Sequence, residues 1–164
     1  MDGFSKLYSL HYAEIFSYIL KLSKDKYIAE DVAQETFIKA FEYIITNKSI
    51  FNKSWLYKVS FNLFIDKTRR AKNVEYKDEL KEPLSIEYIP HEEFEKKEER
   101  EKIQSILDLL PLIHKNILIL REYKELSYEE IGEILEMKVS NVKSNIFRAR
   151  QRFRRLYKEL EEKI

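Results

Sequence analysis

The sequence contains no cysteine, only two glycines and only three prolines in 164 residues. The absence of cysteine excludes a disulfide scaffold, a cysteine-ligated zinc or iron–sulfur site and a thiol nucleophile. Two glycines are too few for a glycine-rich phosphate loop, because such loops need several positions where the backbone approaches the phosphate closely. The scarcity of glycine and proline is typical of long helices joined by few tight turns.

Long hydrophobic runs are also missing. No apolar stretch approaches the roughly 18 residues that a membrane helix needs, and the N-terminus has neither the basic start nor the apolar core of a signal peptide. We therefore expect a cytoplasmic protein without direct membrane insertion. The three histidines are scattered and have no ligand or triad spacing. The sequence therefore predicts no catalytic residue, no metal site and no cofactor.

The charges that are present are distributed in blocks. The formal net charge is +1, but residues 53–74 carry a net charge of +5, residues 75–101 carry −6 and residues 138–158 carry +8. Two basic blocks thus flank an acidic one. This pattern, rather than the overall balance, bears on the partners of the protein.

Hydrophobic periodicity predicts an all-α fold of two small helical domains joined by an acidic linker. Apolar residues recur at steps of three and four through residues 1–72, where we expect three helices, the third with Ser54 as its N-cap. The periodicity fails in residues 73–97, where acids dominate, so this segment is predicted to be a flexible linker. Residues 98–164 form the second predicted domain.

The second domain ends in helix-turn-helix spacing. Ser127 and Glu130 form a capping box before a short helix, and Ser140 is the predicted cap of a last helix that places Lys143 in its first turn. Lysine, arginine, serine and asparagine on the outward face of this helix are the types that bind DNA phosphates and base edges. The basic outer face taken alone has an alternative to DNA binding, namely an amphipathic helix whose basic side chains are only solvated.

The predicted third helix combines cations with aromatic residues. Tyr57, Phe61 and Phe64 lie on a different face from Leu56 and Leu63. Aromatic rings can stack on unpaired bases while cations follow the backbone of a single strand. The alternative is that the helix is wedged between two partners and buries both stripes.

Two stretches resemble conserved regions of bacterial sigma factors. Residues 29–37 (AEDVAQETF), followed by WLYKV at residues 55–59 and by Asn62, Asp66, Arg69 and Arg70, resemble the second region. Residues 126–135 (LSYEEIGEIL), followed by VKS at residues 142–144 and RAR at residues 148–150, resemble the fourth region. Both occur in order with only a linker between them. This arrangement is similar to the extracytoplasmic-function sigma factors, group IV of the sigma-70 family.

The resemblance implies a factor that directs core RNA polymerase to specific promoters and assists promoter melting. It assigns recognition of the −35 element to Ser140, Asn141, Lys143, Ser144, Phe147, Arg148 and Arg150. It assigns contacts with the −10 element to Asn47, Lys48, Phe51, Trp55, Tyr57, Lys58, Asn62, Arg69 and Arg70. It assigns binding to the clamp helices of the largest polymerase subunit to Asp31, Gln34, Glu35 and Ile38.

The implied partners are core RNA polymerase, promoter DNA and an anti-sigma factor that could hold the protein at the membrane. The acidic linker would run through the nucleic-acid channels of the polymerase, or it is merely a solvated tether. The pair Ser140 and Asn141 departs from the Gly-Thr that many family members carry, so Asn141 could change the base preference. Two other functions remain open, a helix-turn-helix regulator with a single DNA site and a helical adaptor that binds only protein.

Overall fold

The computed structural model describes residues 2–48, 52–73 and 91–163. Across these ranges all regular elements are helices, which confirms the predicted all-α class. The helices are α1 (Asp2–Ser23), α2 (Lys26–Asn47), α3 (Lys53–Asn73), α4 (His91–Leu109), α5 (Leu112–Leu118), α6 (Tyr128–Leu135) and α7 (Val139–Glu162), with a π-helical turn at Ile119–Tyr123 directly after α5.

The described residues divide into two compact units. The first unit holds α1, α2 and α3 together with Glu129–Met137, and the second holds the described residues from α4 to Tyr128 together with those from Lys138 onwards. This grouping separates residues 129–137 from the predicted second domain. In addition, α4 begins at His91, although the sequence predicts a linker up to residue 97. The rest of that predicted linker, residues 74–90, lies outside the described residues.

The three long helices of the first unit bury one face each. Alanines on the inner face of α2 allow close approach of α1, because they keep the backbones free of bulky side chains. The buried apolar residues of the three helices are Ile15, Tyr18, Ile19, Leu22, Ala29, Val32, Ala33, Phe37, Ala40, Leu56, Tyr57, Leu63 and Phe64.

The predicted cap of α3 is wrong by two residues. The helix begins at Lys53, and the side-chain Oδ1 of Asn52 accepts a hydrogen bond of 3.1 Å from the backbone N–H of Trp55. Ser54 is buried in the first turn. Asparagine and serine are both favoured caps, and the free amides of the turn are reached by the residue that precedes the helix rather than by one inside it.

The second unit is built around α5 and the π-helical turn. Residues 115–120 are all buried, so this stretch is enclosed on all sides rather than on one stripe. The sequence predicts a core face of Ile113, Ile117, Leu120 and Tyr123, but Ile113 and Tyr123 are 38% and 42% exposed. For Tyr123 the physical reason is the π-helical turn, in which Lys124 N–H bonds to the carbonyl of Ile119, since the extra residue rotates Tyr123 off the inner face.

A buried ion pair joins α4 to α5 across the corner at Pro111. The Nζ of Lys115 lies 2.7 Å from Oδ1 of Asp108, and the side chain of Lys115 is only 9% exposed. A charge at this depth is stable only when it is paired and hydrogen-bonded. Asp108 therefore fixes the position of the nearly enclosed Lys115 ammonium.

Among the described residues, four other than glycine adopt left-handed backbone conformations. They are Lys24, Lys48, Glu125 and Glu136, with φ between 49° and 56°. Lys24, Lys48 and Glu136 follow the ends of α1, α2 and α6, where glycine is the commonest residue. After α6, Met137 N–H bonds to the carbonyl of Gly132 at 2.9 Å, which closes the helix.

Candidate functional site

The last helix, α7, presents an inner apolar face and an outer polar one. Val142, Ile146 and Ala149 are buried, as the sequence predicts. The predicted cap at Ser140 is wrong, because α7 begins at Val139 and Lys138 is the residue before it. Lys143 is consequently in the second turn rather than the first. Ser140 is an exposed residue of the first turn, and its carbonyl accepts a hydrogen bond from the Ser144 hydroxyl.

The outer face of α7 is available for contact. Phe147 is 62% exposed, although a ring of this size is usually buried. Lys143 and Arg148 are exposed beside it, and the Nζ of Lys143 lies 5.9 Å from the centroid of the Tyr128 ring. Asn141 is also exposed, and its carbonyl accepts a bond from the side chain of Asn145. Cations around an apolar ring suit both the phosphates and the thymine methyl groups of duplex DNA.

Arg150 differs from the other predicted −35 residues. Its Nε and Nη2 atoms lie 2.9 and 2.7 Å from Oε1 of Glu122, and the side chain is 39% exposed. This pair ties α7 to the π-helical turn within the second unit. The structure therefore places Arg150 in an internal ion pair, apart from the freely exposed Lys143 and Arg148.

The structure corrects the role predicted for Tyr57. The ring is fully buried, and its hydroxyl donates a 2.5 Å hydrogen bond to Oε1 of Glu14. Burial, together with the bond to the Glu14 carboxylate, raises the pKa of Tyr57 far above its ordinary value. A ring in this position cannot stack on a base, so Tyr57 belongs to the core and not to a DNA-binding surface.

Several other predicted −10 residues are exposed along α3. Asn62, Arg69 and Arg70 lie at the surface, and Trp55 is half-buried with its ring 5.2 Å from that of Tyr43. The predicted loop residues Asn47 and Lys48 are both exposed at the end of α2. Phe51 lies outside the described residues.

Lys58, a predicted −10 residue, forms an ion pair within the first unit. Its Nζ lies 2.8 Å from Oε1 of Glu136, in the segment that follows α6. Asn52 donates to Glu133 of the same segment at 3.4 Å. The pairing with Lys58 lowers the pKa of Glu136. The structure thus brings a predicted −10 residue onto a carboxylate that the sequence analysis did not connect with it.

The carboxylate of Glu14 contacts three side chains within the first unit. Lys53 contacts Oε1 at 2.7 Å, Tyr57 bonds to the same oxygen, and His11 lies 3.2 Å from Oε2. Burial alone would raise the pKa of Glu14, but the bonds from Lys53, Tyr57 and His11 outweigh it and hold the pKa below its ordinary value. The ionised carboxylate therefore stabilises the folded unit.

This pKa shift makes a testable prediction. Glu14→Gln should lower the free energy of unfolding at neutral pH by about 1–2 kcal/mol, because a charge-assisted bond is lost. The difference in the free energy of unfolding between the variant and the native protein should reach its full size above about pH 4.3, the ordinary pKa of glutamate. It should vanish as the pH falls through the lower pKa that Glu14 has in the folded protein. Urea unfolding followed by the fluorescence of Trp55, the single tryptophan, measures it. The exposed Glu42→Gln is the control and should leave the free energy of unfolding at neutral pH close to the native value.

The predicted polymerase-binding residues share one outer face of α2. Ile38 is 59% exposed, and Asp31 and Gln34 are exposed beside it, on the face of α2 opposite its buried residues. The Nζ of Lys67 lies 2.6 Å from Asp31 and 3.0 Å from Glu35. The bonds to Asp31 and Glu35 outweigh burial and raise the pKa of Lys67. This link has no signal in the sequence, since no periodicity within α2 points to a residue of α3.

No group of three or more histidine, aspartate or glutamate side chains in the described ranges has the arrangement of a metal site. Among the helices described, none has both the length and the apolar composition required to cross a bilayer.

Comparison with known proteins covers both units. Residues 7–74 match the family described as Sigma-70 region 2, and residues 100–153 match Sigma-70, region 4. The ECF RNA polymerase sigma factor SigM of Bacillus subtilis (strain 168) is 33% identical over 156 residues, which cover 93% of each chain. The RNA polymerase sigma factor YlaC of the same strain is 32% identical and aligns with 91% of this chain and 88% of its own.

Solved structures share the fold. The sigma factor RpoE of Bartonella quintana, solved with the anti-sigma factor NepR, superposes with a TM-score of 0.73 at 22% identity over 96% of this chain and 98% of its own. CnrH, solved with the cytosolic domain of CnrY, gives a TM-score of 0.71 at 19% identity over 96% and 89%. With the SigM identity and both regions in order, this chain belongs to the ECF sigma factors of the sigma-70 family, which recognise promoters for RNA polymerase and initiate transcription.

Proposed function

We propose that this chain recruits core RNA polymerase through α2, opens and holds the −10 element with α3 and the end of α2, and reads the −35 element as duplex with α7. The observation that carries the proposal is the outer face of α7, where exposed Lys143 and Arg148 flank a 62% exposed Phe147. A cation at each side and an aromatic between them match what a helix offers to the major groove.

The proposed division of labour follows the predicted domains. Residues 1–72 bind the polymerase and the −10 element, residues 98–164 bind the −35 element, and residues 73–97 join them. Exposed Asn62, Arg69 and Arg70 of α3 are the proposed contacts with the opened strand. Tyr57 is not part of this surface, because it is buried.

The proposed chemistry is binding rather than catalysis, with the polymerase forming the bonds. We place the protein in the cytoplasm, where core polymerase and promoter DNA are found. An anti-sigma factor is a proposed regulator, supported by the structural neighbours RpoE and CnrH, which were solved with NepR and with CnrY.

Transcription with purified components tests the function. Core RNA polymerase should give no specific transcript from genomic fragments of the source organism, whereas core plus this chain should give defined transcripts from a subset of them. The double variant Lys143→Ala/Arg148→Ala is the matched control and should lose most of the specific signal. If the native chain directs no specific transcript from any fragment, the proposal is wrong and a helix-turn-helix regulator becomes the better explanation.

The proposed polymerase surface makes a separate prediction. Asp31→Ala/Glu35→Ala should weaken binding to core polymerase by about tenfold, because two charges of the interface are removed. The fold should persist, since both carboxylates are substantially exposed, at 63% and 40%. Fluorescence titration of labelled protein with core polymerase measures the affinity.

Lys67→Met separates the two ways in which these carboxylates could act. If Asp31 and Glu35 contact the polymerase directly, removing their internal partner Lys67 should leave core binding intact or strengthen it. A loss of core binding in Lys67→Met that equals the loss in the double variant would contradict the assignment, because the ion pair itself would then be the element that binding requires.

A further inference from the structure

The short helix α6, together with the residue that follows it, carries negative charge that DNA binding does not explain. Residues 128–136 contain four carboxylates and no cation. Glu129 and Glu130 lie in the first turn, where the helix dipole favours an anion. Glu133 and Glu136 lie beyond that turn. The first helix of a helix-turn-helix crosses the DNA backbone, where phosphates repel carboxylates. These two carboxylates therefore suit a basic surface of the protein itself.

Glu136 occupies a position that is unfavourable for a glutamate. It follows the C-terminal end of α6, where the helix dipole disfavours an anion. Its backbone φ is 55°, in the left-handed region where glycine is the commonest residue after a helix. The Nζ of Lys58 in α3 lies 2.8 Å from Oε1 of Glu136. Lys58 thus supplies the positive charge that stabilises a carboxylate at this end of α6.

Lys58 belongs to the side of α3 that is proposed to hold the opened strand. Lys58, Asn62 and Arg69 follow one another at steps of four and seven, so they share one helix face, which we call the −10 face. Asn62 and Arg69 are exposed, whereas Lys58 is half-buried and paired with Glu136. One end of the −10 face is therefore occupied within the first unit.

Two further contacts place α6 beside the N-terminal half of α3. The side chain of Asn52, the residue before α3, donates to Oε2 of Glu133 at 3.4 Å. Burial is the main cause of the raised pKa of Tyr57, and the charge of Glu130 adds to it, so this carboxylate also lies near α3. All of α6 after its first residue accordingly groups with α1, α2 and α3 in the first unit.

We propose that α6 competes with the −10 strand for the −10 face: without polymerase, Glu136 occupies Lys58 in the place that a backbone phosphate takes when DNA binds. This inference rests on the proposed function, because it needs α3 to hold the opened strand. A pair of exposed ionic groups changes an equilibrium constant by no more than about fivefold. The contact is therefore reversible, and it weakens the binding of single strands by the free chain without abolishing it.

Titration of the full chain with a labelled single strand tests this. The oligonucleotide carries the non-template −10 sequence of a promoter found by transcription, and fluorescence anisotropy measures the affinity. Glu133→Gln/Glu136→Gln should bind it about three- to tenfold more tightly than the native chain, because two weak contacts that compete with DNA are lost. Both side chains are exposed and glutamine is a good helix former, so α6 should remain folded.

Two comparisons separate the release of α6 from a general change in charge. Glu30→Gln/Glu42→Gln removes the same charge from exposed positions of α2 in the same unit and should leave the affinity close to the native value. Adding Lys58→Met to Glu133→Gln/Glu136→Gln should remove the gain, because the lysine that was released is then missing. The inference is overturned if the α6 variant binds with native affinity, or if the α2 variant gains as much.

A covalent tether between α6 and α3 gives an independent measurement. The chain contains no cysteine, so Asn52→Cys/Glu133→Cys carries two unique thiols, which a short bismaleimide can join. The tethered protein should bind the −10 strand at least about tenfold more weakly than the same variant capped with N-ethylmaleimide, because a tether raises the effective concentration of α6 at α3. Equal affinity of the two proteins would overturn the inference. Failure of the tether to form would do the same, since the native side chains are 3.4 Å apart.

The holoenzyme separates this inference from its premise. If core polymerase with the native chain does not prefer the −10 strand over a scrambled strand, the proposed function fails and this inference fails with it. If the holoenzyme does discriminate but Glu133→Gln/Glu136→Gln leaves the affinity of the free chain unchanged, only the inference fails.

Discussion

Replacing Lys143 or Arg148 with alanine should lower the affinity of this chain for the −35 duplex by roughly 10- to 100-fold for each side chain. A side chain that hydrogen-bonds a base edge accounts for about 1–3 kcal/mol of discrimination, and 1.4 kcal/mol corresponds to a tenfold change. Both residues are exposed on the outer face of α7, so neither substitution removes a core contact. Fluorescence anisotropy with promoter and scrambled duplexes measures the loss, which should be larger for the promoter.

A control on the same helix makes the result specific. Lys158→Ala removes one positive charge from an exposed position of α7, about 22 Å from Lys143 along the helix axis. This variant should lower the affinity for both duplexes slightly and equally, because a distant charge acts only through the overall electrostatic field of the protein. Core polymerase should bind all three variants with native affinity. If Lys143→Ala or Arg148→Ala loses core binding instead, the assignment of α7 to DNA is contradicted.

Asp108→Ala should be among the most destabilising single substitutions in the second unit, lowering the free energy of unfolding by about 3 kcal/mol. Removal of one member of a buried pair leaves an uncompensated charge, and such losses amount to about 3–5 kcal/mol. The lower end applies because Asp108 is 21% exposed, whereas Lys115 is almost completely enclosed. Guanidinium unfolding followed by far-ultraviolet circular dichroism measures the loss.

The double variant Asp108→Ala/Lys115→Met identifies the cause. Methionine fills most of the volume of the lysine stem without the charge, so the double variant should recover much of the stability that Asp108→Ala loses. A double variant that is less stable than Asp108→Ala would show that the ammonium group is not the source of the destabilisation. Stability close to the native value in Asp108→Ala alone would mean that water reaches Lys115 and that the pair is not buried in solution.

The sequence predicts the helices well because their pattern is local. Each helix buries residues at steps of three and four, and the exposed position of Ile38 follows from the same geometry. The helix ends are less predictable, since Asn52 and Ser54 are both good caps and the choice depends on where the preceding chain turns. The π-helical turn after α5 has no signal in the pattern, and it moves Tyr123 to the surface.

The candidate sites also contain features that follow from local helical spacing and features that depend on contacts between distant segments. The outer face of α7 could be read from its residues, because exposure follows directly from helical spacing. The burial of Tyr57 could not, since its hydroxyl partner Glu14 is 43 residues away in the sequence. Lys58 with Glu136, and Lys67 with Asp31, are also contacts between distant segments.

The left-handed turns at Lys24, Lys48, Glu125 and Glu136 limit which sequences can replace this one. Glycine or asparagine at these positions would relieve steric strain, whereas valine, isoleucine or threonine would add to it, because branching at Cβ crowds the backbone there. Related chains that keep these turns should therefore vary freely in charge and length at the four positions but should avoid branched residues. A variant that carries isoleucine there would have to rebuild the turn.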